Sequence, residues 1–216
     1  MNYHIITLFP QTLDSYLNES ILKRAIEDKK VKVKFYNPRD FTIGKSYSDR
    51  RVDDKPYGGG PGMVIEALPV IKAIKKAKGK INPKKLKIIW LSPYAKQFDT
   101  EYAKNISKKY TDIIIICGRY EGIDARVKKV FKVEEISVGP FVLTGGELAA
   151  MIIIDSVSRQ IDGVLGDINS LEETRIASRD VYTRPEIVEY NGKKYKVPKV
   201  LLSGNHKKID EWKKDN

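Results

Sequence analysis

Two apolar runs that each end in a glycine-rich loop constrain this chain most. Residues 113–116 lead into CGRYEG at residues 117–122, and residues 136–138 lead into GPFVLTGGE at residues 139–147. A short β-branched run closed by glycine is typical of a buried strand in a mostly parallel sheet. In open α/β sheets ligands bind just past the carboxyl ends of such strands, and glycine lets backbone approach a ligand. The two loops therefore predict a small-molecule pocket.

Strand-like and helix-like runs alternate over the first 161 residues. Strands are predicted at residues 3–9, 31–35, 86–91, 112–117 and 133–138. Helices are predicted at residues 12–29, 66–78, 99–110, 124–130 and 144–161. This alternation predicts an α/β fold with a mostly parallel sheet and helices on both faces. His4, inside the first strand, is expected to be a satisfied core or edge histidine rather than a ligand.

The last of these helices is apolar on nearly all sides. Residues 148–154 read LAAMIII, and polar residues return only at Asp155. A helix without a polar face is buried within the fold or within an oligomer interface. Arg159, near the end of this helix, is the exception and a candidate functional residue.

Residues 37–63 show neither helical nor strand spacing. Five basic side chains precede the sequence YGGGPGM at residues 57–63, and they are Arg39, Lys45, Arg50, Arg51 and Lys55. Long irregular loops are usually functional or disordered. A phosphate-binding Walker loop is rejected, because its spacing is missing and no Lys-Ser or Lys-Thr follows Gly62. We expect a mobile basic loop that contacts RNA or covers a pocket, with plain disorder as the alternative.

The charge balance points toward a polyanionic partner. The 216 residues include 40 Lys and Arg against 28 Asp and Glu, a net charge of +12. This excess predicts nucleic acid as the partner, and a generally lysine-rich composition explains it equally well. The single cysteine, Cys117, excludes an internal disulfide and a multi-cysteine zinc site, and a buried inert thiol is expected. Without a signal peptide or a long apolar window, a cytoplasmic protein is expected.

The end of the chain is organised differently from its first 161 residues. Residues 162–185 lose all periodicity and are interpreted as a linker between two domains. Residues 186–216 then form a small C-terminal domain, in which Asn191-Gly192 predicts a hairpin turn. A final helix is predicted at residues 207–213.

Seven short motifs in this order resemble the bacterial tRNA (guanine-N1)-methyltransferases of the SPOUT superfamily. They are ITLFP at 6–10, YGGGPGM at 57–63, CGRYEGID at 117–124, VLTGGEL at 142–148, GVLG at 163–166, YTRPE at 182–186 and LSGNH at 202–206. Each motif alone is weak, but seven in order over nearly the whole chain are highly specific. The resemblance implies S-adenosylmethionine as methyl donor and, as acceptor, the tRNA guanosine at position 37, immediately 3′ of the anticodon.

The same resemblance implies features that periodicity cannot reveal. It implies a deep C-terminal trefoil knot within a methyltransferase domain of residues 1–161, although knots are rare among folds. It also implies a homodimer whose two chains build each site together. Carried over by motif, the donor-contacting positions are Pro93, Gly118, Tyr120, Glu121, Gly122, Val138, Gly139, Pro140, Phe141, Val142, Leu143, Gly145 and Gly146. Pro140-Phe141 departs from the family, where Asp-Tyr is more usual.

Methylation of guanine N1 needs a base for the N1 proton and a cation near O6, where negative charge gathers. Arg159 matches the family's arginine for the second role. The family's aspartate base falls by direct count on Thr174, which cannot act as a base near neutral pH without an activator. Glu173 is the first substitute, and Asp180 and Glu172 are the next candidates.

The remaining expectations concern tRNA, metal and competing functions. The family usually continues with basic helical sequence beyond the equivalent of Asn216, which shifts more of the tRNA contact onto Arg39, Arg50, Arg51, Gly59, Gly60, Lys207 and Lys208. The family is also linked to magnesium, for which no protein cage is recognisable in the sequence. The replacement at Thr174 leaves open a SPOUT-fold tRNA-binding protein with reduced or lost catalysis. The motifs argue against a related enzyme acting on ribosomal RNA or a ribose oxygen.

Overall fold

The computed structural model describes residues 1–42, 50–166, 178 and 180–215. The chain divides into two compact units, Met1–Leu165 and Gly166–Asn216. Its strands are β1 (Asn2–Ile6), β2 (Lys32–Tyr36), β3 (Asp53–Asp54), β4 (Val64–Ile65), β5 (Leu86–Gln97), β6 (Asp112–Ile116), β7 (Glu134–Ser137), β8 (Ile187–Tyr190) and β9 (Lys193–Lys196). Its α-helices are α1 (Asp14–Leu17), α2 (Ser20–Glu27), α3 (Ala67–Lys78), α4 (Thr100–Lys109), α5 (Arg126–Val130), α6 (Glu147–Ser158) and α7 (His206–Asp215). Among these residues no helix is long and apolar enough to cross a membrane.

The first unit is built on a five-stranded sheet in the order β2-β1-β6-β5-β7. Every pair in it is parallel, which confirms the α/β prediction. The central strand β6 is buried along its whole length, as expected for a strand covered on both faces. Ile113 and Ile115 belong to one apolar core together with residues of α2, α4 and α6. Ile114 and Ile116 belong to a second core with residues of α3, so helices cover both faces.

Several predicted boundaries differ from the structure, among them the first strand, which ends at Ile6 rather than at residue 9. The single helix predicted at residues 12–29 is interrupted after Leu17, and Ser20, the first residue of α2, has a φ of 51°. The strand predicted to stop at residue 91 continues to Gln97, with a shift of register against β7 between Leu91 and Lys96. The helix predicted at residues 144–161 is α6, which starts only after the glycine pair at 145–146.

A buried polar cluster closes the amino edge of the sheet, where the parallel strands begin. Asp112 accepts hydrogen bonds from Asn2 Nδ2 at 3.0 Å and from Thr111 Oγ1 at 2.8 Å. His4 Nε2 lies 3.1 Å from the same carboxylate, and His4 Nδ1 lies 3.2 Å from the Tyr36 hydroxyl. Both ring nitrogens of His4 therefore have partners, which confirms the expectation of a satisfied histidine.

The second unit contains an antiparallel hairpin, β8–β9, and the helix α7. Asn191 and Gly192 at its turn have φ values of 48° and 72°, the left-handed conformation that a tight hairpin turn requires. The predicted Asn-Gly turn is thus confirmed. The ring of Tyr182 contacts that of Trp212, with 6.1 Å between the centroids.

Candidate active site

A pocket of about 420 Å³ lies where β5, β6 and β7 end. It is lined by the register shift of β5 and by the two glycine-rich loops at residues 117–122 and 138–146. Of the positions proposed to contact the donor, all except Pro140 line this pocket. The sequence prediction of a pocket framed by these two loops is therefore confirmed. Trp90, Tyr94, Arg119 and Lys128 also line it, and sequence reasoning missed them.

Glycine brings the two loops into direct backbone contact. The Gly146 nitrogen donates a hydrogen bond to the Gly118 carbonyl oxygen at 2.9 Å. A Cβ atom on Gly146 would lie only 2.7 Å from the Cα atom of Cys117. The start of α6 can therefore reach the end of β6 only because residue 146 has no side chain. The Cys117 thiol below it is free and buried, and burial raises its pKa well above the usual range.

The end of the basic loop is attached to the first pocket loop. The Glu121 nitrogen donates to the Met63 oxygen, and the Ile65 nitrogen donates to the Gly122 oxygen, both at 2.9 Å. A Cβ atom on Gly62, whose φ is 82°, would lie 2.5 Å from Oε1 of Glu121. The Glu121 side chain thus packs directly on the backbone at Gly62, so the segment proposed to contact RNA borders the pocket.

An ion pair buried at the wall of the pocket joins three chain segments. Arg119 Nε lies 2.9 Å from Oε2 of Glu147, an electrostatic contact outside hydrogen-bond geometry. Glu147, the first residue of α6, is only 2% exposed. Its Oε1 atom accepts a hydrogen bond of 2.7 Å from the Thr7 hydroxyl. Arg119 also donates to the Thr144 carbonyl oxygen at 3.2 Å, and its guanidinium lies over the Phe9 ring at 4.8 Å.

Four charged side chains line the pocket, and they are Arg119, Glu121, Lys128 and Glu135. Arg119 is paired with Glu147. Lys128 Nζ lies 2.9 Å from Glu135 Oε1 and 5.4 Å from the centre of the Trp90 ring. Glu121 is exposed and forms no ion pair with any part of the chain that the structure describes. Among the charged side chains that line the pocket, the carboxylate of Glu121 therefore has no opposite charge paired with it in the described residues.

The candidate catalytic arginine lies at the other end of α6. Arg159 is the C-cap residue of this helix and is half-buried. Gly146 and Arg159 stand about 20 Å apart along the axis, given a rise of 1.5 Å per residue. Accordingly, Arg159 is not among the pocket-lining residues. Leu148 and Ile152 are 51% and 40% exposed, and their spacing places Arg159 on the same face of the helix.

Of the three candidate bases, only Asp180 lies among the residues that the structure describes. Glu172, Glu173 and Thr174 lie outside the described residues. Asp180 is exposed in the second unit, where its backbone nitrogen donates to Ser178 Oγ at 3.1 Å. No group of three or more potential metal-binding His, Cys, Asp or Glu side chains occurs within residues 1–42, 50–166, 178 and 180–215.

The candidate RNA-contacting residues fall into two sets. In the first unit, Arg39 Nη1 donates to the Arg50 carbonyl oxygen at 3.5 Å, and Arg51 Nε donates to the Asp53 oxygen at 2.9 Å. Gly59 and Gly60 have positive φ, and a Cβ atom on either would meet nothing within 4 Å. Lys45 lies outside the described residues, and the second set, Lys207 and Lys208, is exposed on α7.

Two exposed tyrosines near the pocket were also missed. Tyr57, at the start of the glycine run, is fully exposed at 101%, and Tyr94, on the pocket rim, is 91% exposed. An aromatic residue placed beside several glycines in a basic loop could have signalled a base-stacking site. No comparable signal pointed to Glu147, whose partner is 28 positions away in the sequence.

Comparisons with known proteins agree with this geometry. The model of the family "tRNA (Guanine-1)-methyltransferase TrmD" matches residues 1–216. A tRNA (guanine-N(1)-)-methyltransferase of Clostridioides difficile is 46% identical over 219 residues, covering 100% of this chain and 91% of the relative. One of Caldanaerobacter subterraneus is 47% identical over 218 residues, covering 99% and 86%.

A solved structure is similar over the same length. The crystal structure of the tRNA (m1G37) methyltransferase from Aquifex aeolicus matches with a TM-score of 0.77 and 39% identity, covering 100% of this chain and 88% of that one. Both the sequence and the arrangement of the pocket loops thus lead to one assignment. The chain belongs to the tRNA (guanine-1)-methyltransferase family.

Proposed function

We propose that this chain transfers a methyl group from S-adenosylmethionine to N1 of the guanosine at position 37 of cytoplasmic tRNA, immediately 3′ of the anticodon. The observation that carries the proposal is the pocket between the two glycine-rich loops, in a chain that matches the family from end to end. The relatives are named for tRNA and guanine N1, and the Aquifex protein is named for m1G37.

The pocket has the properties that a nucleoside with a cationic sulfur needs. Its walls present loop backbone next to apolar side chains such as Val138 and Leu143, which suits adenine and ribose. Its volume of about 420 Å³ lies in the range of small-molecule sites. The uncompensated carboxylate of Glu121 is complementary to a positively charged ligand. The donor would therefore be held by residues 118–122 and 138–146.

Bound S-adenosylmethionine supplies an electrophilic methyl group, and the chain's own residues must prepare the guanine. N1 carries a proton and is a poor nucleophile until a base removes that proton. Arg159 is proposed to face O6 and to stabilise the negative charge that gathers there. The proposed base is Glu173, followed by Asp180 and Glu172, because threonine stands at the family's aspartate position. No metal site is assigned to the reaction.

The proposal includes a homodimer in which each site takes residues from both copies. Arg159 lies about 15 Å along α6 from Ala149, the last residue of this helix that lines the pocket of its own chain, and this is beyond the reach of one side chain. The exposed face of Leu148 and Ile152 leads directly to Arg159, and an apolar stripe of this kind is buried when a second copy covers it. A second copy packed on this face would bring its Arg159 toward the pocket.

The proposal also includes the deep trefoil knot and the division at residues 162–185. The knot is supported by the close contact between Gly146 and Cys117. Gly146 follows β7 in the sequence, so at this contact the chain comes back to the end of the earlier strand β6. The division is supported by the separation into units at Leu165. A short C-terminal domain of residues 186–216 then contributes Lys207 and Lys208 to tRNA binding.

The decisive test is methyl transfer from labelled donor to a tRNA transcript with guanosine at position 37. We expect incorporation into this transcript and none into a control transcript with adenosine there. Arg159→Ala should lower turnover by about 10²–10³-fold while the donor affinity stays near that of the unaltered protein. Donor binding without any incorporation would instead indicate a tRNA-binding protein that lacks turnover.

A mixing experiment tests the shared site. Arg159→Ala and a pocket variant, Gly118→Val, are each expected to be inactive alone. After the two are denatured and refolded together, mixed dimers have one intact site each, so about a quarter of the unaltered activity should return. No recovery, despite mixed dimers shown by mass spectrometry, would place Arg159 and the pocket of one chain in the same site.

A further inference from the structure

The pocket carries an arrangement of charges that binding of the donor alone does not explain. Arg119 at the pocket wall is a cation, and the N-terminus of α6 beside it adds partial positive charge. Left alone, both would repel a cationic ligand. Glu147 opposes both, because it lies 2.9 Å from Arg119 and occupies the first turn of α6.

Burial makes this compensation strong. Glu147 is 2% exposed, so solvent screens its interaction with Arg119 only weakly. The Thr7 hydroxyl at 2.7 Å satisfies its other oxygen and fixes its orientation. Gly145 permits the contact, since a Cβ atom there would lie 2.3 Å from Arg119 Nε. The Arg119–Glu147 pair therefore lies where the two glycine-rich loops contact each other.

We infer that Glu147 is a positioning residue that neutralises Arg119 and leaves Glu121 as the net charge facing the ligand, so that the pocket favours the cationic donor over its neutral product. The inference rests on the proposed function. In methyl transfer the S–CH3 bond breaks, the new N1–CH3 bond forms, and sulfur keeps the electron pair of the broken bond. The donor is thus a sulfonium cation and the product, S-adenosylhomocysteine, a neutral thioether.

This difference in charge gives the pocket a means to release product. A carboxylate a few ångströms from the ligand distinguishes a cation from a neutral group by about tenfold in affinity. Glu121 can favour a cation only because the negative charge of Glu147 cancels the positive charge of Arg119. Glu147 therefore affects the choice between donor and product without contacting either of them.

Calorimetric titration of the full-length protein with S-adenosylmethionine and with S-adenosylhomocysteine measures this preference. The quantity compared is the ratio of the product Kd to the donor Kd. We expect Glu147→Gln to lower this ratio about tenfold, because Arg119 is then uncompensated. Arg119→Gln should not lower it, and the double variant should return it toward the unaltered value.

Two further variants complete the test. Glu121→Gln alters an exposed side chain and should also lower the ratio about tenfold, so the inference stays testable if Glu147→Gln does not fold. Glu134→Gln is the matched control, because it removes the carboxylate of the Lys87 ion pair outside the pocket and should leave the ratio unchanged.

The outcomes separate this inference from the proposed function. If the variants weaken both ligands equally and the ratio stays constant, Glu147 is only structural and the inference is overturned. A constant ratio in Glu121→Gln would overturn it as well. If the unaltered protein binds neither ligand, the proposed function itself fails.

Discussion

The amino and carboxyl edges of the parallel sheet use buried carboxylates in different ways. At the amino edge, Asp112 receives hydrogen bonds from Asn2 and Thr111 and lies against His4. At the carboxyl edge, Glu147 is paired with Arg119, while Glu121 nearby has no ion pair among the described residues. Satisfied groups stabilise a fold, and an uncompensated charge offers a ligand something to bind. The first edge thus contributes to stability, and the second is the edge that we propose for ligand recognition.

The largest effect is expected from Gly146→Ala at the carboxyl edge. The added methyl group would lie 2.7 Å from Cys117 Cα and 3.1 Å from the Gly118 nitrogen, so backbone would have to move. We expect the free energy of unfolding to fall by roughly 3 kcal/mol and the donor affinity to fall about tenfold or more. Thermal denaturation and calorimetric titration measure the two effects.

Gly118→Ala in the same pocket is the matched control for that substitution. A methyl group there would meet only the Ile123 side chain, at an ordinary 3.8 Å. The free energy of unfolding should therefore change by about 0.5 kcal/mol or less. Equal destabilisation by both substitutions would show that the close approach at Gly146 is not what matters.

A smaller effect, confined to stability, is expected from Asp112→Asn at the amino edge. An amide cannot accept all the hydrogen bonds that the carboxylate accepts, so we expect a loss of roughly 1–3 kcal/mol in the free energy of unfolding. Donor affinity should be unchanged, because the cluster is at the opposite edge from the pocket. A parallel fall in donor affinity would contradict this division between the edges.

The same aspartate should make stability depend on pH in the acid range. Burial alone would raise the pKa of the Asp112 carboxyl, but hydrogen bonds from His4, Thr111 and Asn2 outweigh burial and hold it below the usual 3.8. A lowered folded-state pKa contributes stability above pH 3.8, and this contribution is lost as the pH falls through the folded value. Melting temperatures from pH 6 to pH 3 should therefore converge for the unaltered protein and Asp112→Asn.

The smallest effect should be limited to RNA. Tyr57→Ala removes a fully exposed ring, so neither the melting temperature nor the donor affinity should change. Loss of one base-stacking contact should weaken tRNA binding about fivefold, which corresponds to the lower end of the roughly 1–3 kcal/mol that such contacts contribute. Tyr57→Phe retains the ring and should bind like the unaltered protein in a filter-binding assay. Equal weakening by both variants would indicate that the hydroxyl, rather than stacking, contacts RNA.

Local sequence patterns predicted most of the first unit. The run Ile113–Ile116 was identified as buried because both faces of a parallel strand are covered. The sequence left the cap of α4 open between Asp99 and Thr100, and in the structure the Asp99 side chain accepts a hydrogen bond from the Tyr102 nitrogen. The continuation of β5 past Pro93 was not predicted. Proline ordinarily ends a strand, but the register shift against β7 accommodates it here.

Only the parts of the candidate site that are formed by loop backbone could be predicted from the sequence. Glycine runs marked the pocket loops, since glycine reports on backbone conformation within its own segment. The Arg119–Glu147 pair depends on two segments meeting in space, which no local pattern encodes. Likewise, the all-apolar sequence of α6 did not reveal which side of the helix is exposed, and the structure shows that Leu148 and Ile152 lie on that side.

If the proposed function holds, the hydrogen bonds between residues 63–65 and 121–122 would make the binding of tRNA and the binding of the donor depend on each other. A tRNA that moved Met63 or Ile65 would also move Glu121 or Gly122, which line the pocket proposed for the donor. Thermodynamic linkage then requires that tRNA change donor affinity by the same factor by which donor changes tRNA affinity. The two substrates should therefore change each other's affinity through the bridge between Ile65 and Ile123.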